Sequence, residues 1–384
     1  MDENFTFITM LNFIKPFLKL LMLLIVCIII VISLKGCASM GTNPDKDNVA
    51  RFKHSMHYDA SKKKFVNRNQ DAIDEMWDKN ITFTIMIDMF KGRKILKPTT
   101  TLPELKPDLS AFLQQDSDLR VIWFGHSSFM LNIDGIIVLV DPVFTNSSFP
   151  VNIMNKRFQP PVLKLNELPA IDYILISHDH YDHLDIKSVQ YFIDKKAHFV
   201  VPLGVGSHLK GWGIPYNRIV EKDWWKTAEF DRIQFIATPA QHFSGRGIFD
   251  RNKTLWASWV IKSKNHSVYF SGDSGYDIHF KAIGNKYGPF DIAFLECGQY
   301  NNQWKEVHMF PEDSVTAFKD LRAKKFFPIH WGMFILSKHP WNDPPKQLHA
   351  LSKTHKIDLI IPKIGQLVNV NHTFQLEEWW NCDK

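Results

Sequence analysis

The segment Ile176–Asp185 reads ISHDHYDHLD and places three histidines and three aspartates in ten consecutive residues. An apolar run, Tyr173–Ser177, leads into it, and a stretch with helical spacing, Asp185–Lys196, follows. The fold must therefore end a buried strand and present several ligand-type side chains at that end. On an extended backbone residues i and i+2 point the same way, so His178 and His180 can hold one cation between them. If the chain turns toward the helix after His180, Asp182 and His183 face a second cation beside the first. Imidazole and carboxylate donors suit zinc, with iron and manganese fitting the same donors.

One segment cannot complete two cation sites, so other strand ends must contribute. Short β-branched and aromatic runs bounded by Gly, Pro, Asp or Asn predict strands at Val121–Phe124, Ile136–Val140, Phe199–Val201, Ile233–Ala237 and Trp256–Ile261. The same signal recurs at Val268–Phe270, Ile292–Leu295, Phe326–Ile329 and Leu359–Ile361. Helical patterns interleave at Asp185–Lys196, Pro311–Lys324 and Pro344–Lys353; the second opens on a proline followed by two acids, a good helix start. Many strands with interspersed helices imply a layered α/β fold with large sheets. Four strand ends carry a ligand-type residue: Asp141, His242, Asp273 and His330. Together with the first cluster they supply His178, His180 and His242 for one metal. They also supply Asp182, His183 and His330 for the other, with Asp273 bridging. His126, on a glycine turn in GHSS, reads as a structural residue.

The chain has 384 residues, 45% of them hydrophobic, enough for a large core and too apolar for disorder. A formal charge of +6 without a long basic run argues against a nucleic-acid partner and suits anionic lipid or phosphate-bearing substrates. Leu20–Leu34 is fifteen residues without a charge, preceded by Lys15 and Lys19. This is shorter than the roughly 20 residues of a comfortable membrane span and closer to a signal-peptide core. Leu34-Lys35-Gly36-Cys37 then follows the plan of a bacterial lipoprotein signal, with Cys37 as the lipidated residue. Residues 1–37 are thus expected to be a signal peptide or membrane anchor that places the protein outside the cytoplasm. Residues 38–118 read as a tether and an extension packed on the main domain, weakly helical near Ile73–Phe90, and residues 119–384 as that domain. Cys297 and Cys382 are the cysteines of the body, and without a CxxC spacing they suggest neither a thiolate metal site nor a disulfide framework.

The order HxHxDH, lone His, Gly-Asp strand end and late His resembles the metallo-β-lactamase fold superfamily. The resemblance implies a four-layer αββα sandwich with a binuclear metal site at one edge of the sheets. Within that superfamily, GHSSFML, VDPVF, RFQPP, ELPAIDYILISHDHYDHLD, FIATPAQHFSGR, FSGDSGY, GPFDIAF and FPIHWGMF are similar to the N-acylphosphatidylethanolamine-hydrolysing phospholipase D family and its bacterial relatives. The similarity spans about Leu119 to Val370. It implies a hydrolase that cleaves a membrane-lipid phosphodiester, releasing an N-acylethanolamine and a phosphatidic acid, with two zinc ions on the seven positions already named. It also carries a site role to His308, which stands before Pro311-Glu312-Asp313. Two adjacent divalent ions supply a nucleophile at neutral pH and clamp both sides of a displacement at phosphorus. Asp141 and the free oxygen of Asp182 then orient ligands or hold a proton, and His308 binds phosphate or protonates the leaving oxygen. Gly298–Trp304 and the segment before Leu119 depart from the family pattern, so lipid access is expected to differ there. Met309, Phe310, Met333 and Phe334 serve equally well as groove lining or as core; Trp224-Trp225 reads as core or a local lid. The expected partners are a phospholipid substrate and a membrane surface, and a homodimer is compatible with the sequence. Two alternatives stay open: a lactone- or amide-opening hydrolase using the same metals, and a metal-holding lipoprotein without activity.

Overall fold

The computed structural model describes residues 38–80, 96–150, 155–247 and 249–381. The apolar run Leu20–Leu34 and Cys37 lie outside the described residues. Among the described residues no helix is long and apolar enough to cross a membrane.

A short hairpin (β1, Tyr58–Asp59; β2, Lys64–Phe65) precedes two seven-stranded sheets. The first sheet is built from β3 (Arg120–Trp123), β4 (Phe129–Ile133), β5 (Ile136–Val140), β6 (Tyr173–Leu175), β7 (His198–Pro202) and β8 (Ile219–Lys222). The second uses β9 (Thr227–Glu229), β10 (Ile233–Thr238), β11 (Ser258–Ser263), β12 (Ser267–Phe270), β13 (Ile292–Glu296), β14 (Lys325–Ile329) and β15 (Asp358–Leu359). The chain then returns to the first sheet with β16 (Leu367–Asn369), giving the orders β16-β3-β4-β5-β6-β7-β8 and β15-β14-β13-β12-β11-β10-β9.

The strands alternate as buried strands between two layers must. Val121 and Trp123 of β3, Phe129 and Leu131 of β4, and Val138 and Val140 of β5 join the core between the sheets. Ile122, Met130 and Leu139, the residues between them, face the other way and pack with Val189 of helix Ile186–Tyr191 and Leu209 of helix Gly206–Gly211. Across the interface Phe129 stacks on Phe294 at 4.1 Å, nearly parallel, and meets Phe270 edge-on. Helices His279–Tyr287, Pro311–Leu321 and Asp343–His355 cover the second sheet through Phe280, Val315 and Leu348. The result is the expected helix–sheet–sheet–helix order.

Strand direction decides where the site can be. β5, β6 and β7 run parallel, so Asp141 and Ser177 leave neighbouring strands at the same sheet edge. β12, β13 and β14 are likewise parallel. β10 is antiparallel to β11, and β11 to β12, so β10 also ends on the side where β12 ends. The ligand-bearing strand ends therefore converge along one rim.

The segment before the sheets does pack on the domain. Phe52, Tyr58 and Phe65 are buried in the main core, and Arg68 pairs with Asp277. The expected helical stretch near Ile73–Phe90 is a helix over Gln70–Asn80, with its later part outside the described residues. Helix ends moved by a few residues: Asp185 is the cap of Ile186–Tyr191, its carboxylate accepting from Lys187 and Ser188 N–H. Met309 and Met333 belong wholly to the core, as do Trp224, Trp379 and Trp380.

Candidate metal centre

The rim is built from loops held in demanding backbone conformations. His126, Asp141 and His330 all have positive φ, at 53°, 38° and 68°. Such conformations cost non-glycine residues about 1–3 kcal/mol each, and here surrounding hydrogen bonds hold them. His126 N–H donates to Trp331 O at 2.9 Å, and His330 N–H returns to His126 O at 3.1 Å. These two bonds tie the loop after β3 to the loop after β14, across the two sheets. Gly272 also has positive φ, and a Cβ there would lie 2.7 Å from Ser177 Cβ, so the turn that launches Asp273 admits little else.

Two groups of ligand atoms meet at this rim. His178, His180, His242 and Asp273 form one, and His126, Asp182, His183 and His330 the other, each with its ligand atoms within 4.8 Å of one another. Asp273 reaches both: its Oδ2 lies 3.8 Å from His178 Nε2, 3.7 Å from His242 Nε2 and 3.1 Å from His183 Nε2, and its Oδ1 is 3.0 Å from His330 Nδ1. All seven residues expected as ligands are thus brought together, and Asp273 sits between the sets. Reading His126 as structural missed its place in the second group: its Nε2 is 2.9 Å from Asp182 Oδ2.

Three of the imidazoles, those of His178, His183 and His242, are oriented from behind. Asp141, fully buried, accepts from Ser177 N–H at 2.8 Å and lies 2.6 Å from His183 Nδ1. His178 Nδ1 is 2.9 Å from Ser177 Oγ, and His242 Nδ1 donates to Val307 O at 3.0 Å. The opposite nitrogens converge: His178 Nε2 is 2.8 Å and His242 Nε2 is 3.3 Å from His180 Nδ1. Asn67, from the segment before the sheets, holds the ligand loop by both backbone groups of His242. Its Nδ2 donates to His242 O at 2.8 Å and its Oδ1 accepts from His242 N–H at 3.1 Å.

The electrostatics suit a cation. Burial pushes His178, His242 and His330 well below the usual imidazole range and holds His126 and His180 at about 4, so all five present neutral lone pairs. Burial raises Asp273 to about 6. Burial would lower His183, but Asp273 and Asp182 outweigh it and raise it well above its ordinary value. His183 Nε2 is buried without a hydrogen-bond partner, 3.1 Å from Asp273 and 3.4 Å from Asp182. Three buried carboxylates around one imidazole demand positive charge at this point. The donor set and the orphaned nitrogen both fit divalent metal.

His308 stands at the edge of the groups, its ring stacked on His330 at 5.2 Å and within reach of Asp273. Behind it is a residue that no motif marks out. Glu296, at the end of β13, is fully buried; its Oε1 accepts from Met309 N–H at 2.8 Å and its Oε2 is 3.3 Å from His308 Nδ1. In front lies a cavity of about 340 Å³ whose floor is His180, His242, Asp273 and His308. Its apolar walls are Trp77, Phe243, Trp304, Val307 and Leu336, not the Met309 and Met333 positions beside the site.

A family model described as a β-lactamase superfamily domain matches residues 137–331, just over half of the chain, and spans every residue of both ligand groups except His126. The chain belongs to the β-lactamase superfamily. An uncharacterized protein of Mycobacterium tuberculosis is 43% identical over 289 residues, covering 74% of this chain and 77% of its own. The N-acyl-phosphatidylethanolamine-hydrolyzing phospholipase D 1 of Caenorhabditis elegans is 35% identical over 255 residues, covering 63% of this chain and 71% of its own. Among solved structures, an isothiocyanate hydrolase from Delia radicum gut bacteria superposes with a TM-score of 0.51 at 18% identity, over 65% of this chain and 98% of that one. That likeness concerns the fold. The superfamily is one of metal-dependent hydrolases, and the His and Asp groups at the rim are this member's candidate metal centre.

Proposed function

We propose that the chain is a two-metal phosphodiesterase of phospholipase D type that cleaves N-acylated glycerophospholipids into an N-acylethanolamine and a phosphatidic acid. The observation that carries the reading is the pair of ligand groups sharing Asp273, with His308 beside them and an apolar cavity in front. The phospholipase D relative in Caenorhabditis elegans supports the substrate class. His178, His180 and His242 would hold one ion, Asp182, His183 and His330 the other, and Asp273 both. Imidazole and carboxylate donors favour zinc, with iron or manganese next. When bound, two adjacent divalent ions activate the attacking nucleophile and neutralise charge on the phosphoryl oxygens.

The chain's own residues orient and move protons. Asp141 fixes the His183 ring by its contact with Nδ1, and Val307 O fixes His242. His126 holds one oxygen of Asp182. With Oε1 engaged by Met309, Glu296 has Oε2 left for His308 Nδ1. Burial raises the Glu296 carboxyl well above its ordinary range, so protonated Oε2 donates to His308 Nδ1 and leaves the ring proton on Nε2, which can donate to a phosphoryl or leaving oxygen. The apolar walls exclude water and receive lipid chain. The reading includes a lipid-tethered, extracytoplasmic placement through Cys37, which a membrane-lipid substrate would favour.

The test is turnover of N-acylphosphatidylethanolamine and of bis-p-nitrophenyl phosphate by the wild type and His308→Ala. The expected result is diester hydrolysis that falls by about 100-fold or more in the variant while its metal content is unchanged. Brisk opening of a lactone with no diester turnover would overturn the assignment in favour of carbonyl chemistry.

A further inference from the structure

The two most exposed large apolar side chains among the described residues are Met56 and Phe249, at 89% and 87%. Their loops flank one strand: His57, next to Met56, accepts from Val66 N–H at 2.8 Å, and Asn252, which closes the Phe249 loop, accepts from Phe65 N–H at 2.8 Å. The Phe249 loop is shaped by hydrogen bonds rather than by burial of its ring. The Asp250 carboxylate accepts from Gly247 N–H at 2.8 Å and from Arg246 N–H at 3.1 Å. Basic side chains accompany the two apolar ones. Lys53 and Lys63 are exposed and in no ion pair with another described residue. Arg251 is half-buried, its guanidinium 4.6 Å over Trp77 and 5.0 Å over Phe243, and no hydrogen bond or ion pair joins it to another described residue. Burial lowers its pKa from the ordinary guanidinium value and Asp74 offsets this only in part, so an anion at its unused donors would be stabilising. Trp77 and Phe243 are walls of the cavity at the metal centre, so this arginine joins the loop to the site.

We propose that the Phe249–Arg251 loop and the neighbouring Lys53–Met56 turn form a docking face for an anionic phospholipid bilayer, with Phe249 and Met56 entering the acyl boundary and Arg251, Lys53 and Lys63 meeting lipid phosphates. The proposal rests on the membrane-lipid reading above and names the surface that would meet the membrane. Single exposed apolar side chains are ordinary, but two on neighbouring loops beside cations without carboxylate partners match a layer of phosphates over acyl chains. In sequence, the apolar run Leu20–Leu34 and Cys37 come shortly before Lys53, so an anchor there would keep this face near a bilayer. Docking here would bring lipid next to the Trp77 and Phe243 walls, which Arg251 touches.

The experiment uses full-length protein with the photo-crosslinker p-benzoylphenylalanine in place of Phe249. It is mixed with nanodiscs of phosphatidylcholine alone or of equal parts phosphatidylcholine and phosphatidylglycerol, irradiated, and its lipid adducts are measured by mass spectrometry. The same probe in place of Tyr216, an aromatic residue 64% exposed elsewhere on the surface, is the control. Metal content and thermal midpoint report the folding of each variant. The expected result is more lipid adduct at 249 than at 216, with a yield at 249 that rises when phosphatidylglycerol is present. Arg251→Gln should weaken docking to the anionic nanodiscs by about fivefold, the worth of one basic residue at an anionic surface, and Arg251→Lys should retain most of it. Equal labelling at 249 and 216, a yield at 249 independent of phosphatidylglycerol, or an anion preference unchanged in Arg251→Gln would overturn the proposal. No readout requires turnover. Adducts at 249 without hydrolysis of N-acylphosphatidylethanolamine would remove the phospholipase reading and leave the docking face standing; hydrolysis without adducts at 249 would do the reverse.

Discussion

At the scale of single residues, His178, His183 and His242 turn one ring nitrogen inward because something holds the other. Asp141 illustrates the cost of that arrangement. It is fully buried and burial raises its carboxyl above the ordinary value, so only the contacts from Ser177 and His183 make its charge tolerable. Asp141→Asn keeps the shape and removes the charge behind His183. The expected outcome is a 10- to 100-fold weaker metal affinity, roughly the usual effect of losing such a partner, measured by competition with a chromophoric chelator. Glu296 makes a separate case. Glu296→Gln retains an acceptor for Met309 N–H and a donor for His308 Nδ1, so diester turnover should stay within about threefold of wild type; Glu296→Ala should lose about tenfold or more while metal content holds. Equal losses in both variants would show that the contact with His308 does not orient it.

At the scale of elements, the rim exists because parallel strands end together. Ile136–Val140 and Tyr173–Leu175 pair in parallel register, and so do β12, β13 and β14. The sheets stay in register with one another through large side chains such as Phe129, which touches Phe270 and Phe294 of the facing sheet. Phe129→Ala should cost about 3–5 kcal/mol, the range for deleting a buried aromatic, read from the midpoint of urea denaturation. A loss under 1 kcal/mol would mean the sheet interface closes over the cavity. Much of this was legible beforehand. β5 was readable to the residue because IIVLV is uniformly apolar, and the ligand-bearing strands end next to polar residues. β4 was not singled out because Asn132 and the serines before Phe129 dilute the pattern; in the structure Asn132 Nδ2 donates to Phe112 O and its polarity is absorbed. The roles of Trp77, Asn67 and Glu296 were invisible because each depends on a contact with residues distant in sequence or on the buried end of a strand that reads as ordinary.

At the scale of the whole molecule, the rim concentrates buried carboxylates whose charge a bound cation would neutralise, so metal removal should leave that task to protonation and reshape stability against pH. His126 and His180 are held at about 4 by burial, against an ordinary value near 6.5. Between those values the unfolded chain binds more protons than the folded one, so this contribution is complete above about pH 6.5 and is lost as pH falls through about 4. His183 acts in the opposite sense. Its folded value is raised, so its contribution is complete below about pH 6.5 and is lost as pH rises. The metal-stripped protein should therefore be most stable near pH 6–7 in a series of urea midpoints, and a midpoint that does not change from pH 7.5 to 4 would contradict the burial argument. The central claim, however, is the pair of ligand groups joined by Asp273. It is tested most directly by counting metal in full-length protein purified without chelator, by inductively coupled plasma mass spectrometry against protein concentration. The account expects two divalent ions per folded chain; one ion, or none, in a folded preparation would contradict it.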